Sequence, residues 1–251
     1  MIERETMDGV AVVRLAHGKV NALDLDLLNS IAETFRELDR GDDRAIVLTG
    51  AGRAFSAGVD LWQILDGGDE YVRAFLPALS TAFLEVFTVG KPVVAAVNGH
   101  AIAGGMIFAA ACDHRIMADG DGRIGVTELQ VGVPFPIVAL EILGFALGEP
   151  AARQAVLAAD TVSARDALER GYVDALAEPD ALVPAAVEAA RAAADRVPAD
   201  TYRFTKQQLR QELMDRLARL RPALDPRTEE LWLERVRDGW LRRYMERVTR
   251  R

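Results

Sequence analysis

From Val93 to Cys112 the chain carries no Asp, Glu, Lys or Arg. An apolar run this long either crosses a membrane or lies inside a protein. This one is punctuated: Pro92 precedes it, and Asn98, Gly99, His100, Gly104 and Gly105 interrupt it. The punctuation predicts a strand within KPVVAAVNG (91–99), stopped by Asn98-Gly99, then a loop. A helix follows in AIAGGMIFAAACD (101–113), and a helix that is hydrophobic all round is a buried one. A chain of 251 residues that is 50% hydrophobic can build the core needed to hide it. No membrane span is expected.

Around this segment, strands and helices alternate. VAVVRL (10–15), AIVLTG (45–50) and HRIMA (114–118) are β-branched apolar runs of strand length. Between the first two, Leu28, Ile31, Phe35 and Leu38 recur at helical spacing, with Asp24 or Asp26 as cap and Gly41 as stop. AGRAFSAGVDL (51–61) is expected to be a glycine-containing loop running into a helix, with a further helix over 69–88 that bends near Pro77. IGVTELQVGVPFP (124–136) is expected to be a loop bearing one acid among apolar residues. Helices are expected near 136–147, 149–158, 164–170 and 181–196, with a short strand in VDAL (173–176). The last fifty residues hold TKQQLRQELMDRLARL. After Pro222 and Pro226 comes a final amphipathic helix carrying Leu231, Trp232, Val236, Trp240 and Tyr244. Such a terminal helix docks on the body of its own chain or on a neighbour. The alternation argues an α/β core over residues 1–195, and the helical end a smaller appended region over 196–251.

Charge and motif content remove several classes of function. The net charge is −8 and no basic stripe is evident, so no nucleic-acid partner is expected. A few local basic groups still suffice for an anionic small ligand. The amino-terminal MIERETMDGV has no apolar segment of the signal-peptide kind. Cys112 is the single cysteine, which excludes an internal disulfide and a cysteine-rich zinc site and fits a reducing, cytoplasmic setting. It is expected to be a buried small hydrophobe. His17, His100 and His114 are scattered without metal-ligand spacing, so no metal is expected. GAGRAF (50–55) ends in Phe55 and misses the dinucleotide fingerprint, and no P-loop occurs. AFSAG around Ser56 lacks the first glycine of a nucleophile elbow.

Three segments remain as carriers of chemistry: FSAGVDL, NGHAIAGGM and VTEL. The first two place small residues where backbone can approach a ligand, and each precedes an expected helix. A helix N-terminus presents free N–H groups, and two such groups aimed at one oxygen form an oxyanion hole. VTEL adds a carboxylate, Glu128, able to move a proton.

GRAFSAGVDL and AAVNGHAIAGGMIFAAACDHRIM resemble the two signatures of the enoyl-CoA hydratase/isomerase (crotonase) superfamily. KVNALD resembles that family's segment near the CoA entrance. RIGVTELQVGVP resembles its loop with the second acid, and VSARDALERGYVDAL the stretch leading to its trimer-forming helices. The likeness runs from about residue 8 to 210. It implies a right-handed spiral of ββα turns with a helical C-terminal region, residues 196–251, that serves trimerisation and closes the CoA pocket, and assembly as a homotrimer or dimer of trimers. It also implies an acyl-CoA thioester as substrate, with no cofactor beyond the CoA that the substrate brings.

By motif position the resemblance makes Ala57 and Gly104 the two oxyanion donors, with Gly58 and Gly105 giving room. Val59, Asp60 and Leu61 fall on the pantetheine path, with Asp60 opening the helix behind it, and Lys19 and Val20 on a segment that touches CoA. Lys206 and Arg210 are candidates for the CoA phosphates, and Phe75, Leu76, Leu79, Phe83 and Phe87 for a fatty pocket or the core.

The hydratases of the family use two glutamates. Glu128 matches the second, but Ile107 stands in AGGMI where the first would be. One carboxylate is enough for a Δ3,Δ2-enoyl-CoA isomerase, which moves a proton from C2 to C4, and the loop around Glu128 resembles that subgroup. Val126, Val131, Val133 and Ile107 are expected to keep the site dry and raise the pKa of Glu128. The alternatives are a hydratase or another crotonase-type lyase or hydrolase, a non-catalytic CoA-binding subunit, and a serine peptidase of related fold. Asp66, Asp69 and Glu70 are expected in a solvated lid over the pocket, and Glu141 in a structural role.

Overall fold

The structure, a computed structural model, describes residues 1–249. Strands β1 (Ile2–Met7) and β2 (Val10–Leu15) form an antiparallel hairpin, and helix α1 (Leu25–Arg40) follows. Then one pattern repeats three times: a long strand, a short strand, a helix. The turns are β3 (Ala45–Gly50), β4 (Ala54–Ser56) and α2 (Leu61–Thr88); β5 (Val93–Val97), β6 (His100–Ile102) and α3 (Gly104–Ala111); β7 (His114–Ala118), β8 (Arg123–Gly125) and α4 (Glu128–Val131). The long strands join β2 and β10 (Ala175–Ala177) in a sheet ordered β1-β2-β3-β5-β7-β10, parallel apart from β1. The short strands form a second sheet, β4-β6-β8, closed by antiparallel β9 (Thr161–Ser163). This is the ββα spiral that the family resemblance implied.

The main sheet is buried on both faces, which is why its strands read as unbroken apolar runs. Along β2, β3 and β5 alternate residues point opposite ways. Val13, Leu15, Ile46, Leu48, Ala95 and Val97 join the large core with α1, α2 and α3. Val10, Val12, Ala45, Val47, Val94 and Ala96 meet Leu182, Ala186, Val187 and Ala190 of α8 (Leu182–Asp195) on the other face. Helices α5 (Ile137–Leu147), α6 (Glu149–Ala158) and α7 (Ala164–Glu169) continue from the third turn. Among the described residues, no helix is long and apolar enough to cross a membrane.

Several expectations are corrected. The short strands β4, β6, β8 and β9 have three residues each, too few for a period-two pattern to register. The first half of α2 extends back to Leu61, and its break lies at Gly68 (φ 58°, ψ −146°) rather than at Pro77. Asp60 caps this helix, as expected, through its side chain and the N–H groups of Trp62 and Gln63. Helix α9 (Ala199–Arg237) passes through both Pro222 and Pro226. Each proline removes an intrahelical bond, but buried Leu213 and Leu217 anchor the helix before them and Trp232 and Leu233 after them. Tertiary packing overrides the local signal. The chain breaks instead at Gly239 (φ +73°), from which α10 (Trp240–Thr249) turns back over the body of its own chain.

Lys206 and Arg210 are corrected too. Both are buried on α9 and grip Asp113: Lys206 Nζ lies 2.6 Å from Oδ2, and an Arg210 guanidinium nitrogen 2.8 Å from Oδ1. Arg210 also lies over the Phe87 ring, 4.1 Å from its centroid. Asp113 Oδ2 accepts from the Val93 N–H as well, so this cluster ties α9 to the start of β5. Burial pushes the Lys206 ammonium down to about 8 despite Asp113 beside it, and a group so placed is not offered to a ligand. Asp113→Asn is expected to lower the unfolding free energy by about 3 kcal/mol, because it leaves two buried cations without their counter-charge. Lys206→Met, which leaves Arg210 paired, is expected to cost less. Urea denaturation of both variants measures the difference.

Candidate active site

The loop between β4 and α2 is held by the loop before α1. Asn21 is fully buried and its amide donates to the carbonyls of Ala51 (3.2 Å), Ala54 (2.9 Å) and Phe55 (3.3 Å). Ser56 donates from Oγ to the Asn21 carbonyl at 2.7 Å and accepts from the Gly58 N–H at 3.2 Å. That hydroxyl is committed within the scaffold, and none of the three histidines lines the cavity described below. The serine-peptidase reading therefore has no support here.

These contacts account for the N–H groups of the 57–60 loop. Ala57 donates to the Val20 carbonyl at 3.0 Å, Gly58 to Ser56, and Asp60 to the Leu23 carbonyl at 2.9 Å. Val59 alone has no acceptor among the described residues. The expectation that Ala57 is the first oxyanion donor is thus corrected. Its N–H is engaged, and the free one lies two residues on. Gly58 (φ +84°) makes the turn, and a Cβ there would meet the Ile102 carbonyl oxygen at 2.7 Å.

The second donor sits at the start of α3. Ala103 precedes the helix at φ 51° and ψ −120°, a backbone region that side chains rarely tolerate, at a cost of about 1–3 kcal/mol. Its N–H donates to the Gly125 carbonyl at 2.8 Å, which fixes the turn. The first intrahelical bond is from Ile107 to Ala103, so the N–H groups of Gly104 and Gly105 begin the helix without an intrahelical acceptor. Gly105 packs against Ser56, where a Cβ would collide with the Ser56 carbonyl. The two glycine motifs thereby hold each other.

Both free donors border one cavity of about 240 Å³. Ala57, Val59, Leu61, Gly104, Ile107 and Glu128 line it, so the structure brings most of the expected site residues together. Gly58, Asp60 and Gly105 do not line it, nor do Lys19 and exposed Val20 on the loop before α1. Of the aromatic and leucine candidates on α2, only Leu79 and Phe83 reach the cavity, while Phe75 and Phe87 are core. Val131 and Val133 line it and Val126 is buried nearby.

Among the described residues, Glu128 is the only carboxylate on this surface. It starts α4, and its Oε2 is buried without a hydrogen-bond partner. Burial pushes its carboxyl up to about 7, against the smaller pull of its own N–H and that of Thr127. No lid acid joins it. Asp69 is paired with Arg237, and Asp66 and Glu70 do not line the cavity. Glu141 is tied to Arg216 at 2.7 Å, in the structural role expected. Cys112 is buried, its thiol pushed up to about 12, and is inert.

The C-terminal region is expected to close the pocket, but the sequence does not say which of its residues face the cavity. Trp232 of α9 and Tyr244, Met245 and Val248 of α10 close the cavity from the same chain. Their apolar spacing was visible, but its docking place was not.

Comparison with known proteins agrees with this geometry. The sequence model of the family described as enoyl-CoA hydratase/isomerase matches residues 5–247. A Thermus thermophilus protein provisionally named an enoyl-CoA hydratase is 38% identical over 195 residues, covering 75% of each chain. A glyoxysomal fatty acid beta-oxidation multifunctional protein of Brassica napus is 34% identical over 187 residues, 71% of this chain but 25% of that longer protein. Among solved structures, human mitochondrial Δ3-Δ2-enoyl-CoA isomerase superimposes with a TM-score of 0.91 at 26% identity, covering 99% of this chain and 98% of the other. The two glycine loops, the spiral that presents them and these matches agree: the chain belongs to the enoyl-CoA hydratase/isomerase (crotonase) family.

Proposed function

We propose that the protein shifts the double bond of a 3-enoyl-CoA to the conjugated 2-position, with Glu128 as the single proton shuttle. The observation that carries this reading is the solitary carboxylate: Glu128, its Oε2 buried and unpartnered, in a cavity that holds two free backbone N–H donors and no second acid among the described residues. The thioester oxygen accepts from the N–H groups of Val59 and Gly104. The Glu128 carboxylate takes a proton from C2, and the electron pair spreads over the dienolate and onto that oxygen. The donors stabilise this charge more than the neutral carbonyl, which lowers the barrier. The carboxyl, now neutral, returns the proton to C4 and the double bond settles between C2 and C3. No other reagent enters, and CoA arrives as part of the substrate.

The CoA portion would leave the cavity past Val59 and Leu61 towards Lys19 and Val20. Ile107 and the valines around Glu128 keep water away, which favours proton return over hydration. The hydratase alternative is favoured by the Thermus thermophilus relative. The homotrimer or dimer-of-trimers reading rests on the family resemblance, with Phe204 and Leu209 of α9 exposed in the single chain, and light scattering of the purified protein is expected to give three or six chains per particle.

Mixing the protein with trans-3-hexenoyl-CoA is expected to raise the ultraviolet band of the conjugated thioester. Glu128→Gln is expected to slow this by about 10²–10⁴. A flat trace, with hydration of a 2-enoyl-CoA instead, would replace isomerase by hydratase.

The raised pKa has two pH signatures. Activity needs the carboxylate, so kcat/KM is expected to fall about tenfold per pH unit below the Glu128 pKa of about 7. Stability runs the other way. The ordinary value is 4.5, so between pH 4.5 and about 7 the folded state holds the proton more tightly than the unfolded one. The resulting contribution is fully present below pH 4.5 and is lost as pH rises through about 7. Denaturation midpoints across this range are expected to show that slope in the native chain and to lose it in Glu128→Gln.

A further inference from the structure

Helix α4 is a single turn, Glu128–Val131, too short to hold its own shape. Its internal bonds, from Gly132 and Val133 to the Glu128 carbonyl at 2.9 and 3.1 Å, turn the chain immediately behind the carboxylate. Three side-chain hydrogen bonds tie this turn to the rest of the fold, one made by the turn's own Gln130 and two by indoles from elsewhere. Gln130 donates from Nε2 to the Ala159 carbonyl at 2.6 Å. Trp240 donates from its indole Nε1 to the Val131 carbonyl at 2.8 Å, and Trp232 from its own to the Pro134 carbonyl at 3.0 Å. The last two come from the C-terminal helices and hold the two ends of the segment that follows Glu128. Gly132 lies between them at φ +89°, and a Cβ there would collide with the Trp240 indole. Glycine at this point lets the ring close on the loop.

We infer that Trp240 and Trp232 are positioning residues for Glu128: a pair of indole N–H clamps through which the C-terminal helices of the same chain set the aim and the dryness of the proton shuttle. The inference rests on the shuttle role proposed for Glu128. Neither indole touches the reacting atoms by this reasoning. Each acts through a backbone carbonyl three or six residues beyond the carboxylate. The two differ in setting. Trp232 is buried (2% exposed) and lines the cavity, whereas Trp240 is 43% exposed and makes its bond from the rim. Trp240→Phe therefore removes the donor with little loss of buried surface and is the cleaner variant. The other titratable group lining the cavity among the described residues is Tyr244, so a shift in titration there has few sources.

The test combines kinetics on trans-3-hexenoyl-CoA with a direct carboxyl titration, by infrared or carbon-13 spectroscopy, assigned by difference against Glu128→Gln. In Trp240→Phe, with far-ultraviolet dichroism unchanged, kcat is expected to fall about tenfold while KM stays within about twofold, since one neutral hydrogen bond is lost away from the substrate. Water reaching a loosened turn is expected to move the Glu128 titration from about 7 towards 4.5, and the acid limb of the pH profile with it. Trp232→Phe is expected to act in the same direction, and if it fails to fold, Trp240→Phe decides alone. An unmoved titration, with kcat unchanged or with only KM raised, would overturn the clamp and leave the indoles as wall. If the native chain isomerises nothing, the shuttle reading fails, and the titration still decides whether the clamp governs Glu128.

Discussion

A backbone N–H inside a folded protein almost always finds an acceptor, and the site is built around one that does not. In the 57–60 loop three N–H groups are taken up by Val20, Ser56 and Leu23, and Val59 is left facing the cavity. Holding a donor unpaired is costly, so its neighbours must be fixed. Buried Asn21 fixes them, with three amide bonds across the edge of β4 and its own carbonyl accepting from Ser56. The strained turn at Ala103 serves the same end for Gly104. Because Gly58 and Gly105 seat each loop against the other, the two donors are set by one piece of packing.

Against these donors the chain places one carboxylate in apolar surroundings. The spiral supplies the elements in order. Its first turn delivers Val59, the second Gly104 and the third Glu128, each just after a short strand of the second sheet. Parallel pairing of β4, β6 and β8 brings the three junctions side by side. The C-terminal helices then cover the opening. They are attached by buried Leu213, Leu217, Trp232, Leu233 and Leu241, and by the Asp113 cluster with Lys206 and Arg210.

Much of this was legible in the letters. The uncharged run from Val93 to Cys112, with its glycines, demanded a strand, a tight loop and a buried helix, and the long strands were recovered because both of their faces are apolar. Ile107 and Glu128, singled out in the letters, both line the cavity. The three-residue strands left no trace, since a period needs more residues to declare itself. Lys206 and Arg210 looked like ligand groups because a basic residue on a charged helix gives no sign of the partner folded against it. Ala57 was chosen as donor by motif position, and hydrogen-bond partners across a fold are invisible in a motif.

The sequence by itself determined the long strands, the two glycine loops and the solitary acid, because each depends on local pattern: apolar runs, glycines and the identity of one side chain; the spiral was implied by the family resemblance alone. Only the tertiary structure decided which N–H is free, how deeply Glu128 is buried and what covers it. Those depend on contacts between distant segments: residues 20–23 with 56–60, Ala103 with Gly125, and Trp232 and Trp240 with the loop behind Glu128. Pairing, burial and closure are properties of neighbours in space, and no reading along the chain contains them.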